Sequence, residues 1–195
     1  MEVKFIGITG GSGAGKSTLC NALKNKYPDR IELIQLDDYF KPSAERPKIG
    51  DISNFDHPEA LYLDKLAEDL GKLKKGKSIF IKTKNEYLNP EFGKTKEKIL
   101  AEFYPKPIIL VEGFLVLYDE QIRKLLNTSI WLDVGHETRW SRRVHFKDEE
   151  YEKKVLIPMH NKYTEPTKQY AEHIIDVSAL DREQVLEKVE KIIFD

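Results

Sequence analysis

A three-layer α/β/α fold around a mostly parallel sheet is what the 195-residue sequence predicts, and three observations predict it. Short β-rich runs alternate with amphipathic stretches, the pattern of βαβ units whose sheet is covered on both faces. The first run leads into a glycine-rich turn that opens a helix. Hydrophobic residues at 40% can fill a buried core, while charged residues at 33% solvate its surface. The length suits one core domain carrying a small appendage.

Strands are expected at Val3–Thr9, Ile31–Leu36, Ile108–Glu112, Ser129–Asp133 and His173–Val177. Helices are expected at Ser17–Lys26, Pro58–Lys74, Asp119–Leu126, Glu137–Val144 and Arg182–Ile193. In the last, Val185, Leu186, Val189, Ile192 and Ile193 share one face at spacings of three and four. Asp181 stands where its cap belongs. Two regions break the alternation, and both are expected over the C-terminal edge of the sheet, where open α/β folds bind ligands. In Ser78–Tyr104, Ile79, Phe80 and Ile81 can pair with Ile99, Leu100 and Phe103 as a hairpin around the polar tip Lys82–Lys98. The charged stretch His145–Pro166, punctuated by Pro158 and Pro166, reads as a mobile lid. Neither is large enough to be a domain, so residues 1–195 read as a single one.

Thirty-two basic residues against thirty-three acidic ones leave a net charge of -1, too balanced for a chain that coats nucleic acid. The run Lys72, Lys74, Lys75 and Lys77 sits at a predicted helix end, where cations are favourable. Cys20 is the single cysteine, and the five histidines show no metal-ligand spacing. The apolar stretch Val3–Thr9 is too short for a secretory core, and no window reaches the roughly 18 apolar residues of a membrane span. A cytoplasmic protein with no nucleic-acid or membrane partner is expected.

Gly10-Gly11-Ser12-Gly13-Ala14-Gly15-Lys16-Ser17 matches G-x-x-x-x-G-K-[ST] between a predicted strand and a predicted helix, as a P-loop requires. Its glycines let backbone N–H groups converge on a phosphate at the positive helix end. A structural turn would need neither Lys16, which would reach the β/γ-phosphates, nor Ser17, whose hydroxyl would ligate Mg²⁺. The nucleotide-binding set is thus Gly11, Ser12, Gly13, Ala14, Gly15, Lys16, Ser17 and Thr18.

Asp37 and Asp38 follow the second predicted strand and so should lie beside this loop at the sheet mouth. A carboxylate there can accept a hydroxyl proton and aim the oxygen at the γ-phosphorus, although aspartates also terminate strands. Asp37 is placed ahead of Asp38. Glu112 ends the third strand at the same edge, where it could hold a Mg²⁺-bound water, and Asp37 joins it and Ser17 in the candidate metal set. Gly113 would let the chain turn closely beside the nucleotide. In Phe55-Asp56-His57-Pro58, Asp56 reads equally as a helix cap or as an acceptor for two vicinal ribose hydroxyls, and Phe55 offers a stacking face. Arg139, Arg142 and Arg143 precede the lid, where arginines can neutralise charge on the transferred group.

These residues resemble the uridine kinase and phosphoribulokinase-like branch of P-loop kinases. The likeness runs from the P-loop to about Asp176 and is carried by Leu36-Asp37-Asp38-Tyr39-Phe40, Asn54-Phe55-Asp56-His57-Pro58-Glu59-Ala60, Val111-Glu112-Gly113, Thr138-Arg139-Trp140-Ser141-Arg142-Arg143-Val144 and Pro166-Thr167-Lys168-Gln169-Tyr170-Ala171. It implies a P-loop NTPase fold and an ATP- and Mg²⁺-dependent kinase that phosphorylates the 5′-hydroxyl of a ribonucleoside. Asp37 would be the catalytic base, with Lys16 and Arg142 also in the catalytic set. Asp56 would hold the ribose, and Arg139, Glu112 and Tyr39 would lie near the substrate. Arg142 and Arg143 would approach the ATP phosphates. The chain is also similar to nicotinamide riboside kinases, through Asp37-Asp38-Tyr39-Phe40-Lys41-Pro42 and Pro158-Met159-His160-Asn161-Lys162-Tyr163, with Phe55 and Asp56 matching their aromatic-Asp pair. Uridine kinases read the pyrimidine with a hairpin tyrosine and histidine, whereas the hairpin here offers Tyr87 and no histidine. The base is therefore open, as is oligomeric state. A nucleotide-binding regulatory module is the alternative of another class.

Overall fold

The computed structural model describes residues 2–142 and 148–194. Its strands are β1 (Lys4–Thr9), β2 (Ile31–Gln35), β3 (Lys48–Ile49), β4 (Ile52–Ser53), β5 (Ile79–Thr83), β6 (Ile99–Phe103), β7 (Ile108–Glu112), β8 (Thr128–Asp133) and β9 (His173–Asp176). The α-helices are α1 (Lys16–Lys26), α2 (Leu63–Lys74), α3 (Phe92–Thr95), α4 (Glu120–Leu125), α5 (His136–Arg142), α6 (Glu149–Tyr151), α7 (Ile157–Met159) and α8 (Arg182–Phe194). The last two residues of the expected Glu137–Val144 helix, Arg143 among them, and the start of the expected lid lie outside the described residues.

Five parallel strands form the main sheet in the order β2-β7-β1-β8-β9. Side chains alternate between its faces, as the two-residue period of a strand requires. In β7, Ile108 and Leu110 pack with Leu19 and Leu23 of α1 and Val189 of α8, while Ile109 and Val111 pack with Leu66, Leu70 and Leu73 of α2 and Ile122 of α4. Helices thus cover both faces, and each fully buried aliphatic side chain contributes about 1.5–3 kcal/mol. Asp181 and Gln184 cap α8 reciprocally, each side chain accepting from the other's N–H at 2.8 and 3.0 Å.

The expected helix from Pro58 is broken in two. Pro58–Ala60 forms a 3₁₀ turn, and α2 begins at Leu63. Backbone bonds between neighbouring segments explain the break: Lys41 N–H donates to Ala60 at 2.9 Å, Tyr62 N–H donates to Tyr39 at 2.9 Å, and Phe40 bridges Leu61.

The hairpin forms between β5 and β6 with Ile79 opposite Phe103 and Thr83 opposite Ile99. Ile79, Ile81 and Phe103 enter the core shared with α2, leaving Phe80 and Leu100 exposed. Its tip end is anchored by Asp38, whose nearly buried carboxylate accepts from the Thr83 hydroxyl, from Lys84 N–H at 3.2 Å and from Lys98 Nζ at 3.3 Å. Asp38→Ala is expected to cost about 2–4 kcal/mol in a urea titration, because it strands three donors, one charged, in a place of little water.

The described part of the stretch read as a lid is helical from Glu149 to Tyr170 despite Pro158 and Pro166. A proline inside a helix has no N–H to donate, and π-helical turns at Glu152–Leu156 and His160–Thr164 flank the one containing Pro158. An apolar side made of Tyr151, Val155 and Leu156, packed on Ile49, Ile52 and Trp140, holds the segment down. Among the described residues, no helix is long and apolar enough to cross a membrane.

Candidate active site

The sheet register sets the geometry of the mouth. Glu112, the last residue of central β7, lies opposite Ile8 of β1 on one side and Gln35 of β2 on the other. One residue beyond Ile8, β1 ends and the glycine turn begins; two residues beyond Gln35 stands Asp37. The parallel register therefore brings phosphate loop, acid and candidate base to one sheet edge, Glu112 between the other two.

Gly13 has φ 87°, and a Cβ there would sit 2.3 Å from the Arg139 carbonyl oxygen, so the loop can take this path only with glycine. Gly15 precedes α1 without a side-chain cap. The N–H groups of the first helical turn are thereby left to a ligand, and a phosphate is the ligand they suit. Lys16 Nζ is buried beneath the loop and donates to the Gly10 and Gly11 carbonyls, each at 3.1 Å. Burial lowers its pKa, against the opposing pull of the Glu112 and Asp37 charges. Glu112 is also buried; burial raises its pKa, Lys16 opposes the rise, Asp37 adds to it, and a hydrogen bond with Ser17 lowers it.

These residues fit Mg·ATP on two counts: a cradle that side chains would block, and the Ser17 hydroxyl close enough to the buried Glu112 carboxylate to shift its pKa. Among the described residues, no cluster of three His, Cys, Asp or Glu side chains could hold a metal. Mg²⁺ on phosphates needs only one or two carboxylates.

Asp37 and Asp38 divide their labour. Asp38 anchors the hairpin, whereas the Asp37 side chain is 45% exposed at the mouth, its Oδ2 2.7 Å from Lys84 Nζ. Leu36–Tyr39 forms a 3₁₀ turn, in which residues three apart point the same way. Leu36 and Tyr39 both enter the core, which turns Asp37 outward. Tyr39, expected near the substrate, is thereby corrected to a core residue, its hydroxyl donating to Asp69 of α2 at 3.1 Å. Gly113 also has a packing role: a Cβ there would strike Leu36 Cβ at 2.3 Å.

On the acceptor side, His57 caps the Pro58 turn, its Nδ1 accepting from Glu59 N–H at 3.1 Å, so Asp56 is not the cap. The His57 proton therefore sits on Nε2, facing the Tyr163 hydroxyl at 2.9 Å. Asp56 Oδ2 accepts from the Tyr151 hydroxyl at 2.6 Å, and that hydroxyl accepts from Phe55 N–H at 3.1 Å. The half-exposed Phe55 ring has the Arg46 guanidinium 4.5 Å from its centre and Phe40 edge-on at 5.8 Å.

Tyr87, the expected base reader, points elsewhere. Its hydroxyl donates to Asn25 on the last turns of α1 at 2.7 Å, and Lys24 Nζ lies 5.6 Å from its ring centre. Nine residues of helix, about 13 Å, separate Asn25 from Lys16. Arg139 is buried, with Nε donating to Val134 O at 3.2 Å and its guanidinium against Gly11: a Cβ there would lie 2.3 Å from Nη1. It thus flanks the phosphate loop. Arg142 ends α5 in solvent; Ser12 is half-buried in the glycine turn, and Thr18 is exposed in the first turn of α1.

Sequence reasoning missed Lys84, Lys98 and Tyr151. The two lysines read as solvated hairpin charges, and only the pairing of β5 with β6 reveals where they point. His160 is buried within the field of Arg139, His136 and Lys16, and burial first, then those charges, lowers its pKa to about 4.

A family model described as the phosphoribulokinase / uridine kinase family matches residues 5–182. A uridine kinase from Clostridium novyi (strain NT) is 35% identical over 187 residues, spanning 90% of this chain and 88% of that protein. One from Streptococcus gordonii (strain Challis) is 32% identical over 208 residues, spanning 97% and 95%. The solved structure of a protein described as a possible uridine kinase from Bacillus stearothermophilus superposes with a TM-score of 0.65 at 17% identity over 90% of each chain, a likeness of fold.

Proposed function

From the premise that this chain belongs to the phosphoribulokinase and uridine kinase family of phosphotransferases, we propose that it transfers the γ-phosphoryl group of ATP to the 5′-hydroxyl of a ribonucleoside, with uridine or cytidine as the leading acceptor. The observation that carries the proposal is the placement of Asp37 and Lys16 on opposite sides of Glu112 at one sheet edge.

In this mechanism the glycine turn and the α1 amides orient the phosphates, and Lys16 stabilises charge on the transferred group. Ser17 and Glu112, with Asp37 at hand, would hold Mg²⁺, and the ion would supply positive charge against the phosphates. Asp37 accepts the proton of the acceptor hydroxyl and aims its oxygen in line. Asp56 binds vicinal ribose hydroxyls from its seat on Tyr151, and Phe55 offers its ring to the base. Arg139, which flanks the loop, would supply positive charge near the phosphates, and Arg142 is assigned the same task; Arg143 lies beyond the described residues.

The position of Tyr87 on α1 favours testing acceptors beyond pyrimidine nucleosides. The experiment is ADP release over uridine, cytidine, purine nucleosides, nicotinamide riboside and simple sugar alcohols. Stimulation by a ribonucleoside is expected. Stimulation by a sugar alcohol alone would contradict the ribose assignment, and acceptor-independent ATP loss throughout would favour a regulatory nucleotide-binding module.

A further inference from the structure

The ammonium group of Lys84, carried by the hairpin to the candidate base, makes a direct charge contact at the mouth that the proposed mechanism leaves without a task. Its Nζ lies 2.7 Å from Asp37 Oδ2. Asp37 Oδ1 has no hydrogen-bond donor among the described residues. The lysine is also held at its root: its own N–H donates to Asp38 Oδ1 at 3.2 Å, and Thr83 just before it donates to the same carboxylate. Across the hairpin, Lys98 Nζ donates to the Asp37 carbonyl at 2.8 Å. Beyond it, Asn85 Nδ2 reaches Leu33 O on edge strand β2 at 3.3 Å, and buried Asn89 ties Thr83 to Glu97. The hairpin is therefore fastened to the segment that carries the base, which sets the root of Lys84 beside Asp37.

Resting on the kinase assignment, we propose that Lys84 is a positioning residue for phosphoryl transfer: it fixes the Asp37 carboxylate through Oδ2 so that Oδ1 is presented to the acceptor hydroxyl. An unpaired aspartate at a mouth this open would sample several rotamers, and a misplacement of about 1 Å can cost a hundredfold in rate.

The test is steady-state kinetics with ATP and the best acceptor, on wild type, Lys84→Met, Lys84→Arg, Asp37→Asn and the Lys84→Met/Asp37→Asn double variant, with ATP dissociation constants and melting temperatures beside them. Lys84→Met is expected to lower kcat about tenfold or more, with ATP affinity nearly unchanged, and Lys84→Arg to restore most of it. The double variant should be no slower than Asp37→Asn alone, because a residue acting through the base has nothing left to position. A Lys84→Met kcat within about twofold of wild type, or full additivity in the double variant, would overturn the inference while leaving the kinase assignment standing. Failure of every acceptor on the wild-type enzyme would remove both.

Discussion

Asp37→Asn is expected to lower kcat by about 10²–10⁴-fold, the span a positioned proton acceptor contributes. The amide keeps the size of the side chain but can neither take the hydroxyl proton nor balance the charge of Lys84, 2.7 Å away. Hairpin attachment should survive, since Asp38 carries it through Thr83, Lys84 and Lys98. Rapid-quench turnover at saturating ATP and acceptor, with ATP binding measured separately, distinguishes the cases. A fall in kcat at near-normal ATP affinity supports a base, and an unchanged kcat removes Asp37 from the chemistry.

Lys16→Ala is the second large effect. The ammonium lies beneath the glycine turn, close enough to Glu112 and Asp37 to feel both charges. On the proposed mechanism its loss removes a positive charge beside the transferred group, and it leaves buried Glu112 without its main stabilising partner. A kcat loss of about 10²–10³ is expected, the cost of deleting one preorganised donor to a transition-state oxyanion, together with weaker ATP binding. Lys16→Arg should not rescue it, because a planar guanidinium cannot occupy the place of a compact ammonium between two backbone carbonyls. Equilibrium binding of a non-hydrolysable ATP analogue checks the affinity. Normal binding and turnover in Lys16→Ala would remove the P-loop from the mechanism.

The parts of the fold that rest on local pattern were legible. The five core strands and the long helices announce themselves through alternation, and the glycine turn through its spacing, because these depend on residues near one another in the chain. Asp37 and Glu112 were legible for a related reason: residues just past the ends of parallel strands come together at one edge whatever the details. What escaped depends on direction within irregular segments. Tyr39 sits two residues from Asp37, yet the 3₁₀ turn sends it with Leu36 into the core. Tyr87 sits in the expected hairpin, but the turn through Asn85 and Asn89 swings it onto α1. The stretch from Asp148 looks too charged and proline-broken for a helix, and it stays helical because Tyr151, Val155 and Leu156 share a buried side and π turns take up Pro158.

The central claim is spatial: an acceptor hydroxyl lies between the Asp37 carboxylate and a terminal phosphate held by the glycine turn. A crystal structure of the enzyme with a non-hydrolysable ATP analogue, Mg²⁺ and its best acceptor tests this most directly. The account predicts the hydroxyl about 2.6–3.2 Å from an Asp37 oxygen, with the γ-phosphorus in line beyond it. An acceptor bound away from Asp37, or a γ-phosphate outside the glycine turn, would contradict it.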